Sequence, residues 1–134
     1  MQDVLIALCG LTPQVVTETL WALHHRTPPI HPTDVWILTT REGAKVCRTT
    51  LLGKNGALAR FVREYRPTPP PRCSASHVII LKGSDGKPLD DVRSEQDNQA
   101  VSDQLAEFIR KQAEQPDVRL HCSVAGGRKT MGVL

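Results

Sequence analysis

The stretch Val4-Leu5-Ile6-Ala7-Leu8-Cys9-Gly10-Leu11-Thr12-Pro13-Gln14 decides the fold class of this chain. Its apolar first part predicts a strand that is buried on both faces, as strands of parallel sheets are. The glycine that follows ends this strand. Thr12 followed by Pro13 is typical of the N-cap and the first residue of a helix, which the apolar pattern of Val15–Leu23 continues. A buried strand that turns through glycine into a helix indicates a doubly wound α/β sheet.

Three more apolar runs predict strands, and helical patterns lie between them. The strands are expected at Asp34–Thr39, His77–Leu81 and Val118–Val124. The helices are expected at Pro13–His25, Arg41–Leu52, Ala57–Tyr65 and Glu95–Ala113. The order β-α-β-α-α-β-α-β predicts one α/β domain over residues 1–134, a Rossmann-like three-layer fold with a mainly parallel central sheet. Ser94 is expected to cap the last helix, with Asp97 at its third position.

The end of the chain, Leu120–Gly132, has the features of an anion-binding turn. An apolar strand runs into two glycines, and these precede two cations, a hydroxyl and the expected first turn of a helix: Gly126, Gly127, Arg128, Lys129 and Thr130. Glycines let backbone N–H groups approach a phosphate, and a helix start adds positive charge. An ordinary tight turn with solvated cations is the alternative. A Walker A loop does not fit, because arginine rather than glycine precedes the lysine.

Both glycine turns are expected at the same edge of the sheet. Strand-to-helix turns of a doubly wound sheet gather at the carboxyl ends of its strands. The turns after Cys9 and after Ala125 can therefore face one ligand, which we expect to be a phosphate compound.

Composition indicates an ordinary globular protein. The net charge of +3 is compatible with an anionic partner but too small to imply one. The four cysteines form no C-x-x-C pair, so free, buried thiols in a reducing cytosol are expected, and neither they nor the five histidines have metal-ligand spacing. Without a signal peptide or a spanning segment, a cytoplasmic location is expected. We expect no metal and no cofactor.

Three motifs in this order resemble the CRISPR-associated Rossmann-fold (CARF) proteins of type III CRISPR systems, and among them the CRISPR system ring nucleases. The motifs are Gly10–Leu20 (GLTPQVVTETL), Pro88–Arg93 (PLDDVR) with Asp97-Asn98, and Ser123–Gly132 (SVAGGRKTMG). Relatives continue with another helix and further strands, whereas a helix near Lys129 has about one turn before Leu134. The chain is therefore expected to lack the C-terminal part of such a domain.

The resemblance implies a cyclic oligoadenylate as ligand, with cyclic tetra-adenylate as the expected ring, bound across a homodimer. Ring nucleases cleave it without metal, by attack of a ribose 2′-hydroxyl, into linear products with a 2′,3′-cyclic phosphate, and so switch off signalling. Neither a membrane nor a long nucleic acid is an expected partner. The alternative is a sensor that binds the ring intact and controls a fused or partner nuclease or deaminase. A plain nucleotide-binding module is a third hypothesis.

The site residues implied by the motifs follow from their positions in this chain. Lys129, Arg128 and Thr12 are the expected catalytic residues, and no general base can be named. The expected ligand-binding residues are Gly10, Leu11, Thr12, Gln14, Arg93, Asn98, Ser123, Ala125, Gly126, Gly127, Arg128, Lys129 and Thr130. Simpler roles are open for several of them: Thr12 as a helix cap, Gln14 as a surface residue, and Arg93 and Asn98 as part of a helix start. Trp21 and Trp36 are expected in the core.

Overall fold

A computed structural model describes residues 1–92 and 94–126. Strands and helices alternate along the chain: β1 (Gln2–Cys9), α1 (Gln14–His24), β2 (Asp34–Thr39), α2 (Arg41–Val46), α3 (Ala57–Tyr65), β3 (Val78–Ile80), α4 (Glu95–Ala113) and β4 (Val118–Gly126). α2 continues directly into a π-helical turn at Cys47–Leu51, and a 3₁₀ turn at Ala75–His77 precedes β3. The helix predicted at Arg41–Leu52 is therefore α-helical in its first half only.

The four described strands form one sheet with the order β3-β2-β1-β4, and all three pairings are parallel. The chain steps from β1 to β2 to β3 in one direction and then crosses to the other side of β1. In the register of the sheet, Val4 of β1 lies opposite Asp34 of β2 and opposite Leu120 of β4. The predicted α/β fold with a parallel sheet is confirmed.

Side chains of β1 alternate between two cores, which defines the three layers. Leu5, Ala7 and Cys9 pack with the helical layer of α1, the π-helical turn and α3. Val4, Ile6 and Leu8 pack on the opposite face with α4 and with Leu89 and Val92 of the loop before it. Because every residue from Val4 to Cys9 is at most 4% exposed, this strand is covered on both faces, as its continuous apolar run predicts.

The helix starts differ in how far they match the sequence. Ser94 accepts a hydrogen bond from Asp97 N at 3.0 Å, so the predicted cap of α4 is confirmed. The predicted cap of α1 is wrong, because that helix begins at Gln14 and Pro13 occupies the N-cap position without a side-chain cap. Pro13 already has near-helical dihedral angles (φ −69°, ψ −5°), and its carbonyl accepts from Val16 N at 3.0 Å.

Two expectations about buried side chains need correction. Trp21 is 49% exposed, because the buried face of α1 is formed by Val15, Val16, Leu20 and Leu23, and Trp21 lies beside that face. Cys9 and Cys47 are buried as expected, but Cys122 is exposed on β4, which is an edge strand within the described sheet. The four cysteines are free.

A charged cluster fixes the start of β2, at the end of the sheet opposite the glycine turns. Arg72 donates to both carboxylate oxygens of Asp34 at 3.1 and 2.9 Å, Thr33 donates at 3.1 Å, and His77 Nε2 lies 3.3 Å from Oδ1. Burial by itself would raise the pKa of Asp34, but the hydrogen bonds from Arg72, His77 and Thr33 together lower it below its usual value. The carboxylate therefore stabilises the fold in its charged form.

Asp34→Asn is expected to lower the free energy of unfolding by about 1–2 kcal/mol at pH 7, because a half-buried carboxylate loses its charge-assisted hydrogen bonds. The folded pKa is depressed, so this stabilisation is present above the unfolded pKa of about 3.9 and disappears as the pH falls through the folded value. Urea unfolding at pH 7, 5 and 3 measures it. The difference between wild type and variant should be full at pH 7 and 5 and smaller at pH 3, which lies below the unfolded pKa. Asp103→Asn on α4 is the exposed control, and an equal loss in that variant would contradict the assignment.

Candidate functional site

The site lies where the order of the strands reverses. β2 and β4 lie on opposite sides of β1, and in doubly wound sheets this reversal of strand order opens a crevice at the carboxyl ends of the strands. This is the switch point at which doubly wound sheets bind their ligands. Cys9, the last residue of β1, pairs with Gly126, the last residue of β4. The structure therefore brings the ends of the two strands that precede the glycine turns side by side.

A bulge adjusts β4 as it reaches this edge. Between the pairs Ala7–Ser123 and Cys9–Gly126, β4 advances by three residues while β1 advances by two. An extra residue in one strand bends it locally and re-aims the backbone, and bulges are frequent beside active sites. Ser123 is half-buried before the bulge, and Ala125 and Gly126 end the strand after it.

The turn after β1 presents three of the predicted ligand residues to solvent. Gly10 is buried, whereas Leu11, Thr12 and Gln14 are exposed, Leu11 to 55%. A single exposed apolar side chain is ordinary on a protein surface, so Leu11 is a contact surface available to a ligand and is not by itself evidence for one. The first turn of α1 contains no acid and has no side-chain cap. The positive end of this helix is thus not neutralised by its own side chains.

The floor beneath this turn comes from β2 and α2, and the sequence analysis missed it. Thr39 is fully buried and its hydroxyl donates to the carbonyl of Gly10 at 3.4 Å. Thr40 caps α2 by accepting from Gly43 N at 3.1 Å. Gly43 itself packs against Thr39 and the Gly10 carbonyl so closely that a Cβ atom there would lie 2.6 Å from that oxygen. No local pattern at Thr39, the last residue of β2, or at Gly43 indicates this contact with the Gly10 turn.

The loop after β3 folds back onto the same edge. Its backbone pairs with the strand end, because Leu89 N donates to Leu81 O at 2.8 Å. Arg41 N, at the start of α2, donates to Leu89 O at 2.7 Å, and the Arg41 side chain lies 3.5 Å from Asp90. Leu89 and Val92 are buried in the core beneath α4. The polar segment Lys82–Pro88 is therefore an ordered hairpin, closed by the antiparallel bridge between its first and last residues, and it links the carboxyl ends of β2 and β3 to the loop before α4.

Asn98 lies one turn into α4, on the opposite face of the sheet from α1. Its side-chain Oδ1 is buried and accepts no hydrogen bond in the described part of the chain. An unsatisfied buried amide oxygen is costly, so this atom is a candidate acceptor for a donor from a ligand or from chain that is not described. Arg93, Gly127, Arg128, Lys129 and Thr130 lie outside the described residues, so their predicted roles stay predictions.

The titratable group nearest to the end of β1 is not set up for nucleophilic chemistry. Burial raises the pKa of the Cys9 thiol to about 12, with smaller contributions from Cys47 and Cys73. The thiol is therefore neutral at physiological pH and inert as a nucleophile.

Residues 1–92 and 94–126 contain no group of three or more His, Cys, Asp or Glu side chains placed to hold a metal ion. None of the helices in these ranges is both long and apolar enough to cross a bilayer.

Fold and site together define an α/β protein with the architecture of nucleotide-binding domains and a candidate ligand crevice at the switch point of a parallel sheet. The model of the family described as CRISPR-associated protein NE0113 (Cas_NE0113) matches residues 12–134, which include α1, the hairpin, α4 and β4. The chain belongs to this family. Membership in a CRISPR-associated family indicates a role in CRISPR defence. No match was found among curated proteins.

Proposed function

We propose that this chain binds a cyclic oligoadenylate at the carboxyl ends of β1 and β4 and cleaves it, which would switch off type III CRISPR signalling. The observation that carries the proposal is the pairing of Cys9 with Gly126. This pairing makes the Gly10 turn and the strand end before Gly127-Arg128-Lys129 neighbours at one switch point. Family membership adds the CRISPR context, and the motif resemblance adds the class of ligand.

The described part of the crevice supplies contacts that suit a ring of adenylates. Leu11 offers an exposed apolar surface for a base, and Thr12 and Gln14 are exposed polar residues beside it. The uncapped start of α1 favours a phosphate over a neutral group. Arg128 and Lys129 come directly after the Gly126-Gly127 pair in the sequence and are the cations of the proposed site.

The proposed reaction uses the substrate's own nucleophile. A ribose 2′-oxygen loses its proton to solvent and forms a bond to the adjacent 3′-phosphorus, while the bond from phosphorus to the 5′-oxygen of the next nucleotide breaks and that oxygen takes up a proton. The products are a 2′,3′-cyclic phosphate and a free 5′-hydroxyl. Alignment of the 2′-oxygen with the leaving oxygen contributes several kcal/mol. Lys129, Arg128 and backbone N–H groups offset the charge that develops on the phosphoryl oxygens.

Two chains would share one ring. The proposal places the ring on the two-fold axis of a homodimer, because the resemblance implies this arrangement and two-fold pairing is the commonest closed oligomer. Each chain then contributes one copy of the crevice, so the ring meets two equivalent sets of contacts.

The test is incubation of the purified chain with radiolabelled cyclic tetra-adenylate in the presence of EDTA. We expect linear products that end in a 2′,3′-cyclic phosphate, because the proposed chemistry depends on alignment and cationic side chains rather than on a metal. Gel or thin-layer separation of the products, with and without phosphatase treatment, identifies the terminus.

The same protein titrated with the ring by calorimetry separates the alternatives. Tight binding of an intact ring, at one ring per two chains, would support the sensor function instead. Binding of AMP or ATP with no preference for the ring would reduce the protein to a plain nucleotide-binding module. No binding of any adenylate would overturn the proposal.

A further inference from the structure

A second cavity lies at the other end of the molecule from the candidate site. It has a volume of about 580 Å³ and is bounded by the π-helical turn, α3 and the proline-rich segment before β3. Pro70, Pro71 and Cys73 form part of its wall, and Arg72 between them pairs with Asp34, the first residue of β2. The cavity is therefore near the amino ends of the strands, whereas the glycine turns are at their carboxyl ends.

The lining of this cavity is aliphatic, with cations as its charged groups. Leu51, Leu58 and Val62 contribute apolar surface, and Lys54 and Arg63 contribute positive charge. No acid is among the lining residues that the structure describes. Volumes of about 300–1,000 Å³ with apolar walls and a few convergent polar groups are typical of small-molecule sites.

One of the two cations, Arg63, is held at this cavity by the local backbone. Arg63 donates from Nη1 to the carbonyl of Lys54 at 3.0 Å, which fixes the guanidinium beside the loop that carries the lysine. α3 begins at the same place, with Gly56 as its N-cap, no side-chain cap and no acid in the first turn. Its positive end therefore adds to the potential of the two side chains instead of being neutralised.

The groove between α1 and α3 shows that this charge pattern is not general on the surface. That groove has a similar volume of about 600 Å³, but Glu18, Arg60 and Glu64 line it together with Trp21. Its charges are mixed and two of the three are negative. An apolar anion is thus favoured electrostatically in the first cavity and disfavoured in this groove.

We propose that the cavity between the π-helical turn and α3 binds a small aliphatic carboxylate, with the chain against Leu51, Leu58 and Val62 and the carboxylate at Lys54 and Arg63. The apolar walls remove the alkyl chain from water, which favours binding. The cations supply selectivity for a charged head group over a neutral one. This site is independent of the ring-binding crevice.

The test uses octanoate as the probe and 1-octanol as its uncharged counterpart, with calorimetry on the full chain. Octanoate should bind once per chain and about 5- to 10-fold more tightly than 1-octanol, the difference that one or two partly exposed charge contacts provide. Lys54→Glu should weaken octanoate binding by at least the same factor and leave 1-octanol binding within about twofold. Lys45→Glu, an equal change of charge on α2 outside the cavity, is the matched control.

Ala59→Phe fills the cavity from α3 and should abolish binding of both probes, with circular dichroism to confirm that the variant is folded. Equal affinities for octanoate and 1-octanol, or an unchanged affinity in Lys54→Glu, would overturn the proposal. Loss of octanoate binding in Trp21→Ala would move the ligand to the α1–α3 groove and also overturn it. Because the probe is not a nucleotide, failure here and failure of ring cleavage are distinguishable.

Discussion

Lys129→Ala is expected to slow cleavage of cyclic tetra-adenylate by about 10²–10³-fold, the range observed when one preorganised donor to a developing oxyanion is removed. In the proposed reaction negative charge develops on the phosphoryl oxygens, and Lys129 is the proposed cation that stabilises it. The binding step depends on many contacts of the ring, so its affinity should fall by a smaller factor. Single-turnover cleavage with enzyme in excess measures the chemical step, and calorimetry with the cleaved, linear product measures binding.

Matched variants keep this prediction specific. Lys111→Ala removes one positive charge from the end of α4, where the side chain is exposed, and should leave the cleavage rate within about twofold of wild type. Arg128→Ala should affect binding more than the chemical step, because its proposed role is support of the same phosphate. If Lys129→Ala cleaves at the wild-type rate, the proposed catalytic role is wrong. If Lys129→Ala and Lys111→Ala both lose binding and cleavage of the ring, the loss reflects the change in net charge and not a specific role of Lys129.

Gly43→Ala is expected to lower the free energy of unfolding by about 1–3 kcal/mol, because the added methyl group has no room. Its Cβ would overlap the Thr39 hydroxyl and lie 2.6 Å from the Gly10 carbonyl oxygen. Alanine is a better helix former than glycine by about 1 kcal/mol, which acts in the opposite direction. We expect the clash to outweigh this gain, because Thr39 is fully buried and the Gly10 oxygen belongs to the backbone. Urea unfolding at pH 7 measures the change.

A double-mutant cycle identifies the source of that loss. Thr39→Ala removes one of the two obstructing groups, so Gly43→Ala should cost less in its presence than in wild type. The remaining contact with the Gly10 oxygen should still shift the turn, and ring affinity should fall in Gly43→Ala and recover only in part in the double variant. Strict additivity of the two substitutions would show that α2 does not press on the Gly10 turn. A stabilised Gly43→Ala would contradict the close packing directly.

Much of the fold could be predicted because its signals are local. The continuous apolar run of Val4–Cys9 predicts a strand covered on both faces, and both faces are covered. Ser94 with Asp97 predicts the start of α4, and the hydrogen bond between them is present. The prediction was wrong at Thr12, where proline at the next position takes the N-cap, and at Trp21, which lies at the margin of its helix's buried face. In both places the prediction misses by one residue: the N-cap is Pro13 instead of Thr12, and the buried face of α1 includes Leu20 but not Trp21.

The candidate site was less predictable, because its floor is assembled from separate elements. Nothing local in Thr39 or Gly43 indicates that they support the turn at Gly10, which is 29 residues from Thr39 along the chain. The hairpin after β3 is similar, since its polar composition predicts only a loop. Its order comes from pairing with Leu81 and Arg41 and from burial of Leu89.

Local patterns are sufficient to locate the apolar runs that must be buried, the glycines that end them, and the helices whose apolar faces pack on a sheet. Which strands become neighbours is a property of the folded chain. β2 occupies one edge of β1, and β4 pairs with the other edge. This second pairing supplies hydrogen-bond partners for the backbone N–H and C=O groups along that edge of the buried strand. This long-range pairing, with Cys9 opposite Gly126, places the ends of two strands that are far apart in the sequence side by side.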